Sequence, residues 1–199
     1  MLGYGTLIAK ASDYELGGAP FSWAKVVAMR HAITKYPDCK YIWYLDQHAL
    51  IMNPRSKVEE HVMGTQKLEE MMLKDHPVVP PDSIIKTFSH VRARDIEFVA
   101  TQDKDGLATS SIVVKNGEWA KFFLDTWFDP MYRSYNFQKA ETHALVCLPL
   151  NLLCVHSVPI LTFFEGTYRP VAPHDPFKDG HCSATCCQRL FNSTTRGAV

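Results

Sequence analysis

Residues 43–54 read WYLDQHALIMNP: an apolar run meets Asp46, Gln47 and His48, turns apolar again, and stops at Asn53-Pro54. The residues leading in, KYIWYLD, are aromatic and β-branched and predict a strand over 40–46. Their near-continuous apolar character predicts a central strand buried on both faces. ALIMNP is expected to be a second short extended piece, closed by its Asn-Pro. Ligands of an α/β sheet gather beyond the carboxyl ends of its strands, which is where Asp46 falls. Residues two apart on extended chain project to the same side, so Asp46 and His48 can face one metal ion or one metal-bound phosphate. A carboxylate with an imidazole suits Mn²⁺ better than Mg²⁺ or Ca²⁺. An acid at a strand end often simply caps the following turn, and from the pair alone capping is the favoured reading.

Working outward, SWAKVVAMRHAITKY (22–36) has apolar residues near a 3.6 period and predicts a helix, with Ser22 able to cap it and Pro37-Asp38 ending it. KVEEHVMGTQKLEEMMLK (57–74) predicts a second helix, stopped by the prolines of HPVVPPD. DIEFVATQ and SSIVVKN predict two strands around the polar loop DKDGLAT, and GEWAKFFLDTWFDPMY predicts a helix with Trp119, Phe122, Phe123 and Trp127 on one face. Strands alternating with helices indicate an α/β domain.

The 199 residues are 46% hydrophobic with 21 basic and 21 acidic side chains, enough for one domain with a sizeable core. A net charge near zero argues against a nucleic-acid binder that works by phosphate neutralisation. The first residues show no basic start followed by an apolar core, so no leader is expected there. Residues 144–164 carry no Asp, Glu, Lys or Arg and are long enough in principle to span a bilayer. Pro149, Asn151 and Pro159 inside the run, and the lack of flanking basic clusters, favour a buried or irregular segment. Five of the six cysteines (147, 154, 182, 186 and 187) lie near the end, but HCSATCC lacks zinc-site spacing and reads as irregular cysteines. Asn192-Ser193-Thr194 is a sequon, a pattern common by chance. His31, His61 and His90 have no evident partner, and Trp23, Trp119 and Trp127 are expected in the core rather than under a sugar.

Three blocks together resemble glycosyltransferase family 34, the fungal galactosyl- and mannosyltransferase family. SWAKVVAMRHAITKYPDCKYIWYLDQHALIMNP is similar to its tryptophan-lysine helix and following strand motif, through Trp23, Lys25, Trp43, Leu45, Asp46, His48, Ile51, Met52 and Pro54. QDKDGLATSSIVVKNGEW resembles its next block at Gln102, Asp103, Gly106, Leu107, Ser111 and Asn116. FQKAETHAL resembles its acidic segment, with Glu141 on the acidic position. Histidine at position 48 is similar to the α-1,6-mannosyltransferase subunits of fungal mannan polymerase. The resemblance covers residues 3–145 and fades over 146–180. It implies a core at 1–145 and a divergent apolar, cysteine-rich tail at 146–199, readable as inserted or misread sequence.

The resemblance further implies a GT-A, Rossmann-like fold, here incomplete at both ends, and retaining, metal-dependent transfer of a hexose in the Golgi lumen onto a mannan or N-glycan. Donor contacts would fall to Lys25, Asp46, Gln47, His48 and Gly106, with Asp46 and His48 on Mn²⁺. Asp103 and Glu141 would contact the sugar or the developing oxocarbenium; by themselves they also read as a solvated turn acid and as an acid complementing a helix dipole. GDP-mannose is the expected donor and UDP-galactose the alternative. A non-catalytic subunit of the same family is the competing reading. Expected partners are the donor, a mannoside acceptor and other polymerase subunits, with any membrane contact made through 144–164 or a segment not in this sequence. Ala108, Ser110 and Ile112 depart from the family's asparagine, glycine and phenylalanine, and the closing [H/R]-F-x-G-C motif is absent. An alanine at 108 removes a donor and an acceptor.

Overall fold

A computed structural model describes residues 4–78, 86–103, 106–134, 140–152 and 160–164. Its sheet has four strands: β1 (Tyr41–Leu45), β2 (Phe98–Asp103), β3 (Gly106–Lys115) and β4 (Ile160–Phe164), in the order β1-β3-β2-β4. β3 runs antiparallel to both β1 and β2, and β4 runs parallel to β2. Three strands therefore point one way, with β3 reversed between them.

Alternation along the strands supplies two apolar faces. Phe98, Ala100, Ile112 and Val114 face one core, which is closed by α1 (Ala24–Lys35), α4 (Glu118–Trp127) and α6 (Ala140–Leu152). Val99 and Val113 face the other, built with Met63, Leu68, Met72, Ala93 and Ile96. Trp23, Phe123 and Trp127 are fully buried in the first core, and Trp119 stacks on Phe123 with centroids 4.8 Å apart. Phe122, expected on that face, is instead exposed. A 3₁₀ turn over Phe21–Trp23 leads into α1, so Ser22 makes no capping bond and its hydroxyl is buried without a partner among the described residues.

The sequence pattern misplaces other features for identifiable reasons. β1 is the edge of the described sheet rather than its centre, and all five of its residues are half-buried. The expected helix over 57–74 divides into α2 (Val58–His61) and α3 (Thr65–Met71). Gly64 divides it: its backbone is extended, and a Cβ there would sit 2.5 Å from the carbonyl oxygen of Glu60. The strands of the hairpin reach to Asp103 and back from Gly106, so most of the expected loop is strand. ALIMNP is not a strand; Leu50 and Met52 lie exposed beyond a turn.

α6 runs across position 145, with Ala144, Leu145 and Leu148 buried in the first core. Part of the charge-free run is thus a buried helix and part is β4. Among the described residues no helix is long and apolar enough to cross a membrane. The cysteine cluster and the sequon lie outside the described residues; Cys39 is free and exposed.

Asn116 ties the connection between α1 and β1 to the sheet. Its side-chain amide donates toward the carbonyls of Tyr36, Pro37 and Cys39 at 2.8–3.1 Å, and its backbone N–H donates to Lys40. Without it the carbonyls of Pro37 and Cys39 would turn to solvent directly before the strand that delivers Asp46, while that of Tyr36 keeps the Cys39 N–H.

Candidate functional site

At the carboxyl end of β1, the backbone N–H of Asp46 donates to the carbonyl of Ser110 (2.8 Å), extending the pairing with β3 by one residue. The chain then turns, with the N–H of Ala49 on the carbonyl of Asp46 (2.9 Å). Gln47 and His48 are exposed in this turn, and their side chains meet at Nε2···Nε2 3.1 Å. The extended geometry that would project Asp46 and His48 to one side therefore stops at Asp46. The turn places His48, and simple alternation does not.

The second group of residues is buried. Lys25, near the start of α1, and Glu141, in the first turn of α6, are 8% and 2% exposed and form an ion pair at 3.1 Å. Such a pair survives desolvation only when further hydrogen bonds complete it. The Lys25 ammonium also donates to Thr109 Oγ1 at 2.9 Å, and Thr109 lies 3.0 Å from Thr142 Oγ1. Trp127 Nε1 donates to the backbone carbonyl of Glu141 (2.8 Å) and fixes the start of the helix. Glu141 Oε2 is buried with no hydrogen-bond partner among the described residues.

Thr109 reaches this cluster because β3 bulges. Ala100 pairs with Ile112 but Thr101 pairs with Ala108, so Thr109, Ser110 and Ser111 are extra residues opposite β2. Strict alternation from Ile112 would send Thr109 to the opposite face of the sheet. The bulge turns it toward α1 and α6, a common use of bulges beside functional sites.

Tyr44 links the two groups. Burial chiefly, then the charges of Asp46 and Glu141, push its phenol up to about 12. Two carboxylates 95 residues apart in the chain (46 and 141) thus act on one hydroxyl. Asp103 ends β2 opposite Gly106, which starts β3, so their backbones adjoin at the hairpin end. Gln102, next to Asp103, is buried with its amide on the carbonyl of Pro77 (2.7 Å). Trp43 and Ser111 bond to each other, Nε1 to Oγ, at 3.1 Å and so hold the strands together. Sequence reasoning passed over Tyr44, Thr109 and Thr142, because their importance comes from pairing and bulge geometry that no local pattern announces.

A family model described as the galactosyl transferase GMA12/MNN10 family matches residues 1–157. The chain belongs to this family. It is 34% identical over 202 aligned residues to an uncharacterised α-1,2-galactosyltransferase of Schizosaccharomyces pombe, covering 96% of this chain and 62% of that relative. An α-1,2-galactosyltransferase of the same yeast is 29% identical over 163 residues, 77% of this chain and 43% of the relative. The probable α-1,6-mannosyltransferase MNN10 of Saccharomyces cerevisiae is 32% identical over 110 residues, 55% of this chain and 28% of its own length. The chain thus spans less than two thirds of the length of these relatives. No solved structure matches it.

The site residues nominated from the sequence divide between the two groups. Lys25 and Glu141 come together directly, while the charges of Asp46 and Glu141 both raise the Tyr44 phenol. Gln47 and His48 sit apart in the exposed turn. Among the described residues no cluster of three or more His, Cys, Asp or Glu is arranged to hold a metal. A cation here would draw fewer than three such side chains from the described residues. That donor set suits an ion arriving with a diphosphate rather than a closed protein cage.

Proposed function

We propose that this chain is the core of a retaining hexosyltransferase that moves a hexose from a nucleoside diphosphate sugar to a glycan hydroxyl. The observation that carries the reading is the buried cluster of Lys25, Thr109, Thr142 and Glu141, set at the N-terminal turns of two helices against the β3 bulge. Strand carboxyl ends and helix N-termini are where α/β proteins receive phosphate and sugar groups. A GT-A arrangement is in keeping with three co-directional strands, one reversed strand and helices against the sheet. Among the described residues β1 is an edge strand of the sheet. We place the core at least through β4, because a boundary at 145 would cut α6.

In this reading Asp46 and His48 hold a divalent cation, which neutralises charge on the departing diphosphate. Gln47, Lys25 and Gly106 line the donor side. Glu141, with one oxygen free of partners among the described residues, faces the cationic character that develops at the anomeric carbon, and Asp103 assists from the hairpin end. The acceptor hydroxyl approaches the face that the diphosphate leaves, and its proton passes to a leaving-group oxygen. The protein's part is mainly to position and stabilise.

His48 supports GDP-mannose as donor, whereas the extent of the galactosyltransferase matches supports UDP-galactose. The acceptor is a mannose-bearing glycan, the setting the Golgi lumen, and other glycosyltransferase subunits are the expected partners. The test is nucleotide release by the purified chain with Mn²⁺ and either donor, with and without methyl α-mannoside. Acceptor-stimulated release that Glu141→Gln removes is expected. A cooperatively folding chain that turns over neither donor would instead support the non-catalytic subunit.

A further inference from the structure

We propose that Thr109 is a positioning residue that fixes which oxygen of Glu141 remains free for the substrate. The inference rests on the hexosyltransferase reading of the site. Four contacts meet in the cluster: Lys25 Nζ to Thr109 Oγ1 (2.9 Å), Lys25 Nζ to Glu141 Oε1 (3.1 Å), Thr109 Oγ1 to Thr142 Oγ1 (3.0 Å) and Thr142 Oγ1 to Glu141 Oε1 (3.5 Å). An ammonium only donates, and each threonine hydroxyl has one proton to give. The assignment that satisfies all four contacts has Lys25 donating to Thr109, Thr109 to Thr142, and Thr142 to Glu141 Oε1. Two donors then converge on Oε1, and Oε2 has none among the described residues.

A buried carboxylate oxygen without a donor is costly to keep, and such atoms commonly mark a place where a ligand completes the bonding. The chemistry that completes this one is a hydroxyl or a cationic carbon, both of which a hexosyl donor presents in passing to its transition state. Without the Thr109 hydroxyl, the Lys25 ammonium has one acceptor fewer and swings between the two carboxylate oxygens. The free oxygen is then no longer defined. The bulge of β3 exists on this view to bring one hydroxyl to one ammonium.

The experiment compares wild type, Thr109→Val, which keeps the shape, and Thr109→Ser, which keeps the hydroxyl. Turnover of GDP-mannose and of UDP-galactose is resolved into kcat and donor KM, and the Lys25 ammonium is followed by ¹⁵N NMR of the lysine side chains. Thr109→Val is expected to lower kcat roughly 10- to 100-fold with donor KM little changed, because misplacement acts on the transition state. Thr109→Ser restores kcat. The slowly exchanging Lys25 ammonium signal is expected in wild type and Thr109→Ser and absent from Thr109→Val. A Thr109→Val protein with lower thermal stability but unchanged kcat overturns the proposal, as does a serine variant no better than valine. If wild type turns over neither donor, the enzymatic reading falls separately. The ammonium signal then still decides: its persistence in Thr109→Val overturns the positioning role, and its selective loss supports it.

Discussion

Replacing Lys25 with methionine tests the buried pair most directly. At 3.1 Å, two unit charges in an effective dielectric near 20 attract by roughly 5 kcal/mol, and each ion lost several kcal/mol of hydration on burial. The pair is therefore close to neutral as a pair, and removing one member strands the other. Breaking such buried pairs costs about 3–5 kcal/mol. Lys25→Met is expected to lower the unfolding free energy by about 3–5 kcal/mol. Lys25→Met with Glu141→Leu is expected to recover most of the loss, because two apolar side chains leave no stranded charge. Urea unfolding with the double-mutant cycle measures both. A Lys25→Met cost below about 1 kcal/mol would refute the buried-pair reasoning.

Tyr44 gives an alkaline signature. Its phenol stays neutral in the folded chain to about 12, so its contribution is complete below the ordinary tyrosine range and lost as pH climbs through that value. Unfolding free energy is expected to fall between about pH 10 and 12, and less steeply in Tyr44→Phe. Asn116→Ala leaves the carbonyls of Tyr36, Pro37 and Cys39 without their shared donor, and should lower stability by about 1–3 kcal/mol in the same urea assay. Asp46→Asn is expected to abolish Mn²⁺-dependent donor binding in calorimetry with little change in unfolding; unchanged binding would move the cation elsewhere.

The strand ending at Asp46 and the helix carrying Lys25 were legible because aromatic and β-branched runs and a 3.6 period are local signals. The edge position of β1 was not, since its composition reports apolar surroundings and not which strands lie beside it. Gly64 hid its break because a lone glycine is tolerated inside a helical pattern, and only the approach to the Glu60 carbonyl makes glycine necessary. Glu141 could be nominated by resemblance, but its partner lies 116 residues away, and long-range pairings leave no trace in a window of sequence. Thr109 was obscured further. Its place depends on three residues accommodated between two strands, and a polar tract reads the same whether it bulges or loops.

The bulge also sets what evolution can vary. Thr109 is located by the ladder between β1 and β3, which runs unbroken from Lys115 to Ser111 and on to the Ser110 carbonyl. Its position is thus measured from the Lys115 end of the strand pair, and substitutions near Gly106 are expected to leave the lysine-glutamate centre where it stands.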